Sequence, residues 1–195
     1  MGSPRWVEVN IRLRDVARQN EVLLDFVNGF VQGHRDKFKV WHFLREKSPV
    51  TGEPEIRLRF FGEEKDIRSV QQDLDWELRL LETSKGNVYS SHAFGGHGDP
   101  NKIYEGEEDG FGKNGWEIFA DFLMKTSEVA ISFLRKEPLG KSEKDWTFYM
   151  ERFSHCFWNQ LGVPPHVKFQ AVGPEVFSGL FEWLDYFAQA IRLPR

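Results

Sequence analysis

Glu55-Ile-Arg-Leu-Arg-Phe-Phe61 is the stretch whose reading decides the fold. Its alternation is strict: Ile56, Leu58 and Phe60 point one way, and Arg57, Arg59 and Phe61 the other. A period of two marks a half-buried strand. Two neighbouring arginines on the second face are costly to cover unless an anionic group meets them. A solvated outer face is the plain alternative and carries comparable weight.

Working outward, Phe38 to Arg45 forms an aromatic-rich strand, and Pro49-Val-Thr-Gly-Glu-Pro54 supplies the turn that folds it onto the arginine strand. Upstream, Trp6 to Arg14 alternates with Val7, Val9, Ile11 and Leu13 on one face. Asp15 then starts a helix to about Gly33, with Val22, Leu23, Phe26, Val27 and Phe30 as its buried stripe. Downstream, a helix runs from beyond Gly62 to about Leu81 on Ile67, Val70, Leu74, Leu78 and Leu81, and Val88 to Phe94 is a fourth strand. The order strand, helix, strand, strand, helix, strand predicts an α+β fold. It is the ferredoxin-like βαββαβ antiparallel sheet with both helices on one face, followed by a C-terminal helical half. Gly95 to Pro100 is a loop, and Asn101 to Gly115 is glycine- and acid-rich with no regular pattern. Helices are expected over about Trp116 to Arg135, Lys144 to Leu161 and Pro174 to Ile191, with Gly162-Val-Pro-Pro165 as a break. No repeat or linker stands out, so one domain over residues 1–195 is expected.

Composition narrows the classes. With 40% hydrophobic residues, 18 Phe and 7 Trp in 195 residues, the chain has ample packing material and argues against disorder. A net charge of −4 argues against direct nucleic-acid or anionic-membrane binding, which calls for a basic surplus. The single cysteine, Cys156, precludes an internal disulfide and disfavours a structural zinc site. Apolar runs stay far below the roughly 18 residues of a membrane span, and the N-terminus lacks an apolar signal core. A soluble, cytoplasmic protein is expected.

Among possible site motifs, Gly95-Gly-His-Gly98 lacks the Lys-Ser/Thr ending and the strand–helix setting of a phosphate loop. Glu105, Glu107 and Asp109 before Gly110 imitate a calcium loop, but the twelfth position is Trp116 and a solvated acidic run is the better reading. The six histidines form no helical His-x-x-x-His pair, so neither a metal nor another cofactor is indicated. His155 sits near the end of an expected helix with Asn159 one turn on. The negative end of the helix dipole favours its cationic form, which suits a proton donor; a satisfied helix histidine is the alternative.

Three patterns then coincide in order. Phe43-Leu-Arg45 with Ile56-Arg-Leu-Arg-Phe60, Tyr104-Glu-Gly-Glu-Glu-Asp-Gly-Phe-Gly112 with Trp116-Glu-Ile-Phe119 and Ser127, and His155-Cys-Phe-Trp-Asn-Gln-Leu-Gly162 together resemble one family. It is the C-terminal, glutamate-eliminating domain of the lantibiotic dehydratases and the thiopeptide-type bacteriocin biosynthesis proteins. The resemblance runs from Trp6 to about Leu161. It implies a lyase in ribosomal-peptide modification, one that expels glutamate from a glutamylated Ser or Thr of a precursor peptide to leave dehydroalanine or dehydrobutyrine. A separate glutamylating enzyme would be the partner. Arg57 and Arg59 match the glutamate-holding arginine strand and His155 the proton-transferring histidine, with Arg45, Tyr104 and Asn159 as substrate-binding positions. Gly106 and Gly110 stand where the family's Tyr-Glu-Arg-Glu-x-x-Arg segment carries arginines, and Gln160 follows Asn159 in place of arginine. The same fold serves pyridine-forming cycloaddition enzymes that dispense with glutamate-holding arginines, and a non-catalytic peptide-binding partner is the third possibility.

Overall fold

The computed structural model describes residues 3–136. The chain divides into two compact units, Met1–Lys136 and Glu137–Arg195, and the described residues all belong to the first. The expectation of a single domain concerns both units. The helices expected over Lys144 to Leu161 and Pro174 to Ile191, with His155, Cys156 and Asn159, lie outside the described residues.

Four strands, β1 (Arg5–Leu13), β2 (Val40–Lys47), β3 (Pro54–Gly62) and β4 (Tyr89–Phe94), form one antiparallel sheet in the order β2-β3-β1-β4. That order, with helix α1 (16–33) between β1 and β2 and helix α2 (Glu64–Ser84) between β3 and β4, is the ferredoxin-like arrangement. Asp15 caps α1 by accepting a hydrogen bond from the Ala17 N–H at 3.0 Å. The helix changes pitch along its length: a 3₁₀ turn (Val16–Arg18), a short α stretch, a π turn (Leu23–Val27) and a final α turn (Asn28–Gly33).

Each strand's alternation gives the sheet two faces of different chemistry. Val7, Val9, Ile11 and Leu13 of β1 and Ile56, Leu58 and Phe60 of β3 are buried against α1 (Val22, Leu23, Phe26, Val27, Phe30) and α2 (Ile67, Val70, Leu74, Leu78). Burying this set removes apolar surface worth about 1.5–3 kcal/mol for each large side chain, which fixes the register of every strand. The opposite face therefore carries Trp6, Glu8, Asn10 and Arg12 of β1, Glu55, Arg57, Arg59 and Phe61 of β3, and Val40, His42, Leu44 and Glu46 of β2.

The glycine- and acid-rich segment differs from its expected irregularity. A helix, α3 (Glu108–Lys136), starts eight residues before Trp116, with a kink at Gly112 (φ 66°, ψ 160°). Glu108 and Asp109 favour a helix start because carboxylates in the first turn complement its positive end. Glycine composition conceals this, and Gly112 supplies a left-handed turn that few other residues adopt. Beyond the kink, Trp116, Ala120, Leu123, Ser127, Ile131 and Leu134 form a buried stripe at helical spacing. This stripe lies along the outer edge of β2, where the Phe43 N–H donates to Ser127 Oγ at 3.2 Å. An exposed strand edge invites pairing with another chain, and here α3 covers it.

Candidate functional site

The sheet face opposite the two packed helices carries a buried lattice of ion pairs. Arg59 Nε donates to Glu8 Oε2 at 2.6 Å across β1 and β3, and its Nη1 lies 3.6 Å from Glu107 Oε1. Arg57 Nε donates to Glu55 Oε1 at 2.9 Å, and its Nη1 lies 3.8 Å from Glu46 Oε1. Arg12 Nε sits 3.5 Å from the other oxygen of Glu55. The anions that the paired arginines require are thus supplied from within the chain. Arg59 and Glu8 side chains are 3% and 0% exposed, so their pairing takes place away from water, where the geometry must be good to offset desolvation.

Tyr104 closes this lattice from above. Its ring lies 3.9 Å from the Arg59 guanidinium carbon, a cation–π distance, and packs edge-on against Trp6. Burial first, then the Glu107 and Glu8 carboxylates, push its phenol well above the ordinary value, while Arg59 opposes. The Gly95–Pro100 loop seals the other end: the Gly98 N–H donates to Glu8 Oε1 at 3.0 Å. Gly98 has φ 78°, and a Cβ there would meet Arg57 Nη2 and Glu55 Oε1 at 2.8 Å, so only glycine lets the backbone lie directly on that ion pair.

Gly106 has a similar role. Its φ is 98°, and a Cβ would stand 2.7 Å from Trp116 Nε1 and 3.1 Å from Trp6 Nε1. Two indoles occupy the space that a side chain at this position would need. Gly110, by contrast, has open space around it.

Of the residues named from the sequence, Arg57, Arg59 and Tyr104 come together. Arg45 does not join them: it pairs with Ile56 and so shares the helix-bearing side of the sheet. Burial pushes its guanidinium down to about 9, still protonated at neutral pH, and its Nε has no hydrogen-bond partner among the described residues. His155 and Asn159 lie outside the described residues.

Sequence reasoning gave no role to Glu8, Glu55 and His42, and read Glu107 as part of a solvated acidic run whereas it lies 3.6 Å from Arg59. His42 stands opposite Arg59 in the register of β2 and β3, fully buried, with edge-on contacts to Trp6 at 5.9 Å and Trp116 at 6.5 Å. Neither ring nitrogen has a hydrogen-bond partner among the described residues. Burial, then the Arg59 charge, hold its pKa well below the ordinary histidine value, so the imidazole is neutral. Glu46 titrates above the ordinary carboxylate range, chiefly through desolvation, with Arg57 opposing.

Beside Tyr104 a cleft of about 980 Å³ opens, floored by Trp6, Val40, Phe61, Tyr104 and Trp116. No helix among the described residues is long and apolar enough to cross a membrane.

No protein-family model matches the sequence. No curated protein matches it either. Solved structures do. The tRNA-dependent lantibiotic dehydratase MibB from Microbispora sp. 107891 is similar over 73% of this chain and 13% of its own, with 22% identity and a TM-score of 0.56. TsrL is similar over 76% of this chain and 39% of its own, with 18% identity and a TM-score of 0.48. The chain spans about an eighth of the length of MibB and shares the fold of that part of it.

Proposed function

We propose that this chain is a ribosomal-peptide modification enzyme that eliminates glutamate from glutamylated Ser or Thr residues of a precursor peptide. The observation that carries the reading is the state of Arg59. Its Nε is committed to Glu8 at 2.6 Å and its π face to Tyr104, whereas among the described residues Nη1 meets only Glu107, at 3.6 Å on a partly exposed side chain. That is well beyond the roughly 2.7–2.9 Å of a good charge-assisted hydrogen bond, so Nη1 keeps donor capacity for a carboxylate. The fold shared with a part of MibB supports the same class.

In the reaction a base removes the α-proton of the modified residue. The Cβ–O bond breaks, its electron pair leaves on the glutamate carboxylate, and a Cα=Cβ double bond remains. Arg59 and its neighbour Arg57 would hold the departing glutamate, and His155 would carry the proton. Acid–base assistance of this kind is worth about a hundred- to ten-thousand-fold. A separate enzyme would attach the glutamate.

One observation favours a second reading, cycloaddition between two dehydroalanines. Among the described residues, the lattice sets Glu8, Glu46, Glu55 and Glu107 against Arg12, Arg57 and Arg59, a balance that favours an uncharged substrate. Mass spectrometry separates the readings. Elimination converts a glutamylated peptide with loss of glutamate and leaves a bis-dehydroalanine peptide unchanged. Cycloaddition gives the reverse, and a pure binding protein changes neither.

A further inference from the structure

Besides the arginine lattice, the structure carries a second feature that nothing in the elimination chemistry uses. The cleft next to Tyr104 has an aromatic floor in which Trp6 packs against Phe61 at 5.0 Å and Trp116 at 5.6 Å between ring centroids. Its volume, about 980 Å³, is at the upper end of the roughly 300–1,000 Å³ of ligand pockets. Ile103 stands at its lip, 78% exposed, an apolar side chain with no cover of its own.

The rim is charged and unevenly so. Lys39 is neutralised by Glu63 at 2.6 Å, and Glu64 by Arg68 at 2.6 Å. That leaves Glu105, Glu108, Glu117 and Asp121 facing Arg5 and Lys113, with no base within ion-pair distance of those four carboxylates among the described residues. All four are exposed. A carboxylate rim over an aromatic floor is complementary to a cation on an apolar stem. The rim carboxylates attract the charge and steer its approach, and the methylenes of lysine or arginine cover the half-buried Val40 and Phe61 of the floor, beneath which Trp6, Tyr104 and Trp116 are buried.

We infer that this cleft docks a basic segment of the peptide substrate, taking an arginine or lysine side chain next to an apolar one. The inference rests on the proposed peptide-modifying role but not on the elimination step. It makes the cleft a recognition site beside the arginine lattice, with the opposite charge preference. A peptide could thus be held by its basic segment here while an acidic group is held over Arg59.

Calorimetric titration of the full chain tests this with peptides that contain no Ser or Thr and so cannot be substrates. Acetyl-Gly-Phe-Lys-Arg-Gly-amide is expected to bind, and to weaken at least about tenfold between low and high salt. The same peptide with Glu in place of Lys and Arg is expected not to bind. A Glu105→Gln, Glu117→Gln, Asp121→Asn triple variant, all at exposed positions, is expected to keep its thermal unfolding midpoint and lose about tenfold in affinity. Equal binding of the acidic peptide, an unchanged triple variant, no heat from the basic peptide, or a self-associated protein in which a second copy fills the cleft would each overturn the inference. None of these results alters whether a glutamylated peptide is converted, so the two proposals fail separately.

Discussion

The Arg59 guanidinium and the Glu8 carboxylate face each other at 2.6 Å across neighbouring strands, and Glu8 uses its second oxygen to anchor the Gly98 N–H. One buried carboxylate therefore both neutralises the arginine strand and pins the loop that covers it. Removing one partner of such a pair leaves the other charged and buried, which costs about 3–5 kcal/mol. Glu8→Gln is expected to lower the unfolding free energy by that amount in urea titration. A Glu8→Met, Arg59→Met double variant should lose clearly less than the two single changes combined. A loss below about 1 kcal/mol for Glu8→Gln would show the pair to be solvated.

Two of the three glycines of the Tyr104–Gly112 segment, Gly106 and Gly110, should respond in opposite senses. Gly106→Ala puts a methyl group against both indoles at a left-handed backbone position and should cost about 1–3 kcal/mol. Gly110→Ala sits in open space within a helix and should stabilise by about 0.5–1 kcal/mol. Thermal unfolding of the two variants checks this, and a tolerated Gly106→Ala would mean that Trp6 and Trp116 do not occupy that space.

His42 makes stability pH-dependent with a definite sign. Its folded pKa is held well below the ordinary histidine value, so the unfolded chain takes up a proton that the folded chain refuses. Stability is therefore full above about pH 6.5 and falls as pH drops below it, by up to about 1.4 kcal/mol per unit. Asp73 and Asp75, held low by their partners Lys37 and Arg79, add their own loss only at more acid pH. His42→Phe should flatten the slope between about pH 5 and 6.5 by up to one proton. An unchanged slope would contradict a neutral, buried imidazole.

Ser127 satisfies the Phe43 N–H on the outer edge of the sheet. Ser127→Ala should cost about 1 kcal/mol and speed hydrogen exchange of the Phe43 amide. Unchanged exchange there would place the β2 edge elsewhere than under α3.

The sheet was legible because its signal is local: alternation in Val7 to Leu13 and Ile56 to Phe60, and three- and four-residue spacing in Ile67 to Leu78, each declare one apolar face. The other face was half legible. Alternation placed Arg57 and Arg59 together, yet the partners of Arg59 come from β1 and from the segment after β4, and Arg57 meets Glu55 on its own strand and Glu46 on β2, so only the sheet register brings the lattice together. Glu8 and Arg12 also alternate within β1, so the register would have revealed them once β1 was set beside β3. Arg45 was expected among the substrate-binding positions from the resemblance alone, and its position opposite Ile56 sends it to the other side of the sheet. The start of α3 was hidden by Gly106, Gly110 and Gly112, whose composition resembles a loop while the backbone needs left-handed turns at only two of them.

The most direct test of the account is release of free glutamate from a glutamylated Ser or Thr peptide. Wild-type protein should be compared with Arg59→Lys under conditions where circular dichroism shows both to be folded. Lysine keeps the charge beside Glu8 but loses the planar fork that could share a second carboxylate. The account predicts stoichiometric glutamate and dehydrated peptide from the wild type, with at least about a hundredfold slower release from Arg59→Lys. Equal rates from the two proteins, or no glutamate from the wild type, would contradict it.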